Sequence, residues 1–279
     1  MNVISLSAVD LSVAALLILG LAGLSAWIRL GVGRQILIAA LRTTVQLLLI
    51  GWVLKALFAH IHLGWVALMA LIMLAAAGRE VVSRQKRPLA GWRGYGVGSS
   101  SMFISSFAIT ILALNLIIKP DPWYTPQYAI PLLGMMLGNT MNGIALATDR
   151  LTQSAWQQRM VIEQRLMLGH TRSQAISDIR RECLRTGMIP MINAMSAAGL
   201  VSLPGMMTGQ ILAGSPPVEA VKYQILIMFL ITAGTGFGTI LTIWLASHRL
   251  FDARHRLRLD RLKGDLPRAA QASSSMNRG

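Results

Sequence analysis

The chain reads as an all-α, polytopic membrane protein of about seven transmembrane helices, and three observations support that reading. Of its 279 residues 54% are hydrophobic and only 13% charged, about half the charged share of a soluble domain. Several apolar runs approach the ~20 residues a helix needs to cross a ~30 Å hydrocarbon core. The positive charges, finally, fall in alternate loops. All of the Lys and Arg except Arg42, Lys55, Lys119 and Lys222 lie between or after spans on one side, the pattern that sets orientation in a bilayer. The net charge of +15 is therefore assigned to anionic lipid headgroups rather than to nucleic acid. The period-two alternation of a β-barrel is absent.

Met1–Asp10 carries no Lys or Arg. A first helix over Leu11–Ile28 is thus expected to be retained rather than cleaved as a secretory signal. Arg29 and Arg34 mark the cytoplasm. The second span, Ile36–Phe58, exits at His60 and His62. The third, Leu63–Gly78, is only just long enough, and returns to a basic loop holding Arg79, Arg84, Lys86, Arg87 and Arg93. The fourth, Ser101–Ile118, leads to a Pro-rich outer loop, and the fifth, Tyr128–Thr148, descends into a charged segment. The sixth, Met188–Leu212, and the seventh, Tyr223–Ser247, complete an N-out/C-in arrangement. Trp27, Trp65, Trp123, Tyr124, Tyr128 and Trp244 fall where amphipathic rings prefer to sit, at the membrane interfaces. Residues 1–265 form one transmembrane domain. The basic, Ala/Ser-rich end, 266–279, is expected to be disordered.

The charged segment Asp149–Gly187 holds seven Arg and four acidic residues and is too short to be an enzyme domain. It reads as two short helices broken at Gly169, because Gly allows the backbone a turn that other residues resist. The Leu166, Met167 and Leu168 cluster before the turn offers an apolar knob to a partner. Cys183, the only cysteine, excludes a disulfide framework and reads as a bystander thiol.

The spacing Glu163, Gly169, Ile179 resembles the EAA loop of ABC-transporter permeases, whose helices dock into the ATP-binding subunit. Gln164 and Arg165 replace its two alanines, and Arg181 and Glu182 stand where its Leu-Pro would be. Three longer strings carry a wider resemblance: LRTTVQLLLIGWVLKALF (Leu41–Phe58), IPLLGMMLGNTMN (Ile130–Asn142) and GLVSLPGMMTGQILAGSPPVEAVKYQI (Gly199–Ile225). Together they resemble the bacterial iron-export ABC permease family of FetB type, whose relatives include plant aluminium-sensitivity membrane proteins. The resemblance runs from about residue 10 to the basic tail. It implies a permease in the bacterial cytoplasmic membrane that binds no cofactor of its own. A separate ATP-binding subunit would supply ATP and Mg, and the role would be metal export. Some plant relatives are connected to a nucleotide sugar instead. No G-x-x-x-x-G-K-[ST] loop occurs in the chain, so any ATP is hydrolysed elsewhere. Seven spans are few for a complete path, so a homodimer is expected. An ATPase-independent secondary transporter remains the rival.

Within the spans, Gly134-Met135-Met136-Leu137-Gly138-Asn139 echoes as Gly205-Met206-Met207-Thr208-Gly209-Gln210. Each pairs glycines four apart, a spacing that lets helices approach closely, with an amide that avoids lipid. Met135, Met136, Asn139, Met206, Met207 and Gln210 are either a gate or a packing seam with Met as filler. Arg42, about 9 Å from the end of the second span, can snorkel to the surface. Gln46, one turn deeper, lines a path or bonds a neighbouring helix. Asn142, Asn193 and Ser196 are weaker candidates of the same kind. For a metal, no Asp, Glu or His is expected inside a span, and the outer His60-x-His62 is a poor chelate. The metal ligands stay unassigned, and the iron specificity comes from the resemblance alone.

Overall fold

The computed structural model describes residues 7–59, 61–89, 91–252 and 254–262; residues 266–279 and His60 lie outside them. Among the described residues there are helices, turns and isolated bridges but no strand. Six helices are long and apolar enough to cross a membrane: Val9–Trp27, Gly33–Ala59, Leu63–Ser83, Gly94–Ile118, Pro126–Gln157 and Pro217–Arg249.

α1 (Ala8–Trp27) starts at a capping box in which Ser7 and Asp10 satisfy each other's backbone N–H. α2 (Gly33–Ala59) folds back on it so closely that the Ala22 carbonyl oxygen lies 2.9 Å from where a Cβ on Gly33 would stand. α3 (Leu63–Ser83) is capped by the His62 ring, whose Nδ1 accepts from the Gly64 N–H at 3.1 Å. It continues past Gly78 because Val81 is buried in the core. This overturns the expectation that no carboxylate lies within a span, since Glu80 is carried on the helix.

α4 (Trp92–Met102) passes through a π segment (Phe103–Phe107), α5 (Ala108–Leu112) and a second π segment (Ala113–Ile118). Ser101 and Ser105 donate to carbonyls four residues back, the kind of side-chain competition that bends a helical ladder. α6 (Pro126–Gln157) has Pro at its first turn and runs 32 residues, about 48 Å at 1.5 Å per residue. The fifth span and the start of the charged segment are thus one helix. α7 (Arg159–Met167) ends at Gly169, whose φ of +85° supplies the expected break. α8 (Arg172–Ala175) and α9 (Ser177–Ala197) lead back into the bundle.

The sixth span differs from the sequence reading, which drew one helix over Met188–Leu212. α9 stops at Ala197, Gly199 turns with φ +83°, and a new helix, α10 (Gly205–Leu212), opens after Pro204. Pro has no N–H and restricts the residue before it, so the helix cannot run through. α11 (Pro217–Arg249) closes the bundle.

The directions of the helices follow from which residues meet. Gly143 of α6 faces Thr235 and Thr239 of α11, and both run the same way. α9 lies between them antiparallel, with Gly187 against Gly143 and Met195 against Thr232. The chain therefore returns from the end of α6 to the start of α11 through α9, the Gly199–Pro204 break and α10.

Apolar side chains form three layers. One, at the platform end, joins Leu151, Ile162, Ile179, Cys183, Ile243 and Leu250. A middle layer joins Val81, Met102, Leu137 and Ile144. The third, at the far end, joins Leu57, Val66, Leu114, Ile130 and Ile227. After α11 the chain does not trail away. Residues 251–252 and 254–262 fold onto the platform through bridges Phe251↔Leu257 and Leu89↔Leu262, and Arg261 donates to the carbonyls of Arg249 and Phe251.

Candidate functional site

Two places in this fold gather the functional candidates: a polar cleft among α2, α3 and α6, and an elbow at the tip of the platform.

The cleft, of about 700 Å³, is lined by Gln35, Arg42, Gln46, Glu80, Arg84 and Met141 among others. It exists because α2 buries none of its central apolar window within the chain. α2 joins the body through Leu54, Leu57 and Phe58 in the far-end layer, beyond the cleft. Across it Arg42 Nη2 meets Glu80 Oε2 at 3.3 Å, and Arg84 Nε meets Glu80 Oε1 at 3.3 Å. Arg84 Nη1 then donates to Asn142 Oδ1 at 2.7 Å. A second hollow of about 310 Å³ adjoins it at Arg84, Asn142 and Asp149, where the Lys86 N–H donates to Asp149 at 2.8 Å. The Glu80 carboxylate thus ties α2 to α3, and Arg84 carries the link on to α6 through Asn142. Arg42 is engaged with Glu80 rather than simply reaching for the surface, and Gln46 faces the same space one turn deeper. The sequence reading missed Glu80 and Arg84. The legible signal was the apolar spacing Ala70, Ala77, Val81, which carries α3 one turn beyond Gly78.

The paired GMM motifs do not meet as a close helix crossing within the chain. Nothing lies within 4 Å of a Cβ built on Gly138, Gly205 or Gly209, and Gly134 meets only the end of Met73. Met136 is fully buried with its methyl filling the hollow over Gly234. Met135 and Met206 are half-buried against the far-end layer, and Asn139 Nδ2 donates to its own helix at Met135 O, 2.8 Å away. Met207 is buried, and Gln210 Oε1 is buried without a hydrogen-bond partner among the described residues. Asn193 and Ser196 lie exposed on α9, Ser196 bonding the Ile192 carbonyl. The close approach falls instead at Gly143 and Gly187. Buried hydroxyls of Thr140, Thr235 and Thr239 without hydrogen-bond partners stand beside that seam.

At the elbow, Ile179 and Ile162 are core residues that anchor the platform, and Leu166 packs partly against them. Glu163 is exposed, and Met167 and Leu168 are each 79% exposed beside Gly169. Arg165 braces the turn through an ion pair with Asp178 at 2.9 Å. A groove of about 810 Å³ lies between the elbow and Arg254–Leu257 of the folded-back tail. Behind it, burial first and the Glu182 charge second push the Cys183 thiol up to about 12. Asp252 is held below the usual carboxylate range, mainly by the Arg256 backbone N–H, which fixes the tail's turn.

Among the described residues, no three His, Cys, Asp or Glu side chains gather as a metal site would require. His62 serves as a helix cap.

Sequence comparison decides the family. Residues 8–251 match the family model UPF0014, described as an uncharacterised protein family. The chain belongs to the UPF0014 family. It is 40% identical over 234 residues to the UPF0014 membrane protein slr1647 of Synechocystis, covering 83% of this chain and 88% of the relative. It is 33% identical over 240 residues to the Escherichia coli protein named "Probable iron export permease protein FetB" (84% and 88% covered). It is 31% identical over 216 residues to Protein ALUMINUM SENSITIVE 3 of Arabidopsis thaliana (77% of each). No solved structure matches the chain. This UPF0014 protein is a multi-pass membrane protein, and its Escherichia coli relative carries the name of a probable permease.

Proposed function

We propose that this UPF0014 protein is the membrane-spanning permease subunit of an ATP-driven exporter in a bacterial cytoplasmic membrane, with iron or a related metal as cargo. The observation that carries the reading is the exposed Met167–Leu168 pair at the Gly169 turn, above a groove and on a rigid apolar platform. An apolar knob of that kind in water needs a partner, and a separate ATP-binding subunit fits it, with Glu163 and Arg165 fixing register. Because α6 runs unbroken from the far end to the platform, and α9 leaves the platform for the break at Gly199, movement of the elbow would be transmitted to both. The positive-inside distribution supports a cytoplasmic platform. On that placement the cleft would lie toward the cytoplasm, with Leu54, Leu57 and Phe58 packed on its outward side, as an entry vestibule for export requires. A homodimer would enclose the face of α2 that the chain leaves bare.

The cargo named for the Escherichia coli relative is iron. A second reading of cargo, an organic anion or anionic metal complex, is favoured by the two guanidiniums against one carboxylate in the cleft. Co-purification of the cognate ATP-binding subunit tests the partner. ATPase stimulation of the reconstituted pair by ferrous iron, metal–citrate complexes and nucleotide sugars tests the cargo. A chain that recruits no ATPase, yet transports down an ion gradient, would overturn the reading.

A further inference from the structure

A chamber separate from the cleft lies under the broken crossing, of about 530 Å³, bounded by the end of α9, the Gly199–Pro204 break, α10 and α11. Its wall is apolar except for one group. Gln224 is 7% exposed, and its Oε1 is buried with no hydrogen-bond donor among the described residues. A buried amide oxygen left uncompensated is costly, so the site calls for an electron-poor occupant. Three thioethers stand around the same space, each from a different helix: Met195 of α9, Met207 of α10 and Met228 of α11. Met228 sits one helical turn from Gln224, so both point from one stripe of α11. The Met195 sulfur lies 3.0 Å from Thr232 Oγ1, whose single hydroxyl proton also reaches the Met228 carbonyl at 2.8 Å, so the sulfur sits beside α11. Met136 fills the hollow over Gly234, whereas these three border open volume.

We propose that this chamber is a binding site for a soft monovalent metal ion, Cu(I), held by the thioethers of Met195, Met207 and Met228 with the Gln224 carbonyl oxygen as a supporting ligand. Thioethers select soft ions, whereas ferrous iron, zinc and magnesium want imidazole, carboxylate or water. The ligands are all neutral and the wall is apolar, so the ion's own charge stays uncompensated. A monovalent ion tolerates that far better than a divalent one, because the cost of burying charge rises with its square. The site needs the break at Gly199–Pro204, which lets α10 bring Met207 against α11; a continuous sixth helix would carry that residue on past the chamber. Binding is a property of the permease alone and does not rest on the ATP-driven reading.

The test uses the purified full chain in detergent, titrated with Ag(I) as a redox-silent probe and with Cu(I) kept reduced by ascorbate. X-ray absorption reads the ligands. Saturable, stoichiometric binding with sulfur in the first shell is expected. It should weaken in each of Met195→Leu, Met207→Leu and Met228→Leu, and be lost in the triple variant, while Met160→Leu on the platform leaves it unchanged. Leu conserves volume, so the fold is expected to survive; if the triple variant does not fold, the single variants and Gln224→Leu still carry the test. Binding unchanged in the single variants, competition by Fe(II) or Zn(II) at similar strength, or no saturable binding would each overturn the proposal. Co-purification of an ATPase would be unaffected by that failure, which keeps the two readings separable.

Discussion

Gly187→Ala is the sharpest perturbation of the bundle. A Cβ at Gly187 would stand 2.8 Å from the Gly143 carbonyl oxygen, 2.9 Å from Ala147 Cβ and 3.0 Å from Thr239 Cγ2. Two of these belong to α6 and one to α11, and the first is main chain, so no side-chain rotation relieves the clash. Overpacking of a filled core costs about 1–3 kcal/mol, set against the ~0.5–1 kcal/mol that Ala gains over Gly inside a helix. The net is a loss of about 1–2 kcal/mol. Gly138→Ala supplies the comparison, since nothing lies within 4 Å of its Cβ position. It should gain about 0.5–1 kcal/mol for the same backbone reason. The two variants should therefore differ by about 2 kcal/mol, in opposite directions from wild type, a factor of roughly 30 in the folded-to-unfolded ratio. Thermal unfolding or urea denaturation of the purified protein in mild detergent measures both. Equal stability of the two, or Gly138→Ala the weaker, would refute the packing of α6, α9 and α11 described above and restore the GMM glycines as the close crossing.

Three further outcomes follow from particular contacts. Glu80→Gln leaves Arg42 and Arg84 without their shared carboxylate; stability should fall by about 1 kcal/mol, and a cysteine placed at Gln46 should label faster as α2 loosens from α3. Leu168→Asp at the exposed elbow should change stability by less than about 0.5 kcal/mol while abolishing co-purification of the ATP-binding subunit. Cys183, with its thiol at about 12, should resist maleimide at pH 8 until the protein unfolds. Its pKa is raised in the folded state, so the folded form holds its proton longer. Its contribution is complete below the ordinary thiol range and is lost as pH climbs through that range toward about 12.

The parts legible in the sequence were those written in composition and spacing. The apolar runs located α1 and α2 to within three residues at each end, and the end of α11 to within two, though α11 starts at Pro217 rather than Tyr223. Gly169 marked the elbow because a left-handed backbone position is available cheaply only to Gly. Glu80 escaped notice because a hydropathy window ends at the first charge. The helix itself ends only where burial ends, and Val81 is still core. Pro204 announced the break in the sixth crossing, but a window of mean hydropathy over Met188–Leu212 runs through it undisturbed. The GMM echo misled in the opposite sense, since glycines four apart permit a close crossing without requiring one. The required partner surface, an oxygen or methyl at under 3 Å, stands at Gly143 and Gly187.

Taken alone, the sequence determined that this chain lives in a membrane, which side its charges favour, and that a polar segment bearing an elbow interrupts the apolar helices. Those properties are sums over residues or single-residue backbone preferences, and they need no partner to be read. Tertiary structure decided which side chains share a space. It linked Arg42, Glu80, Arg84 and Asn142 from three helices across the cleft and the hollow beside it, and brought Arg254–Leu257 back as the second wall of the elbow groove. It also gathered three methionines around Gln224. Residues far apart in the chain have no register with one another until helices pack. The depth at which each helix stops or breaks fixes that register, and it is settled by burial rather than by spacing.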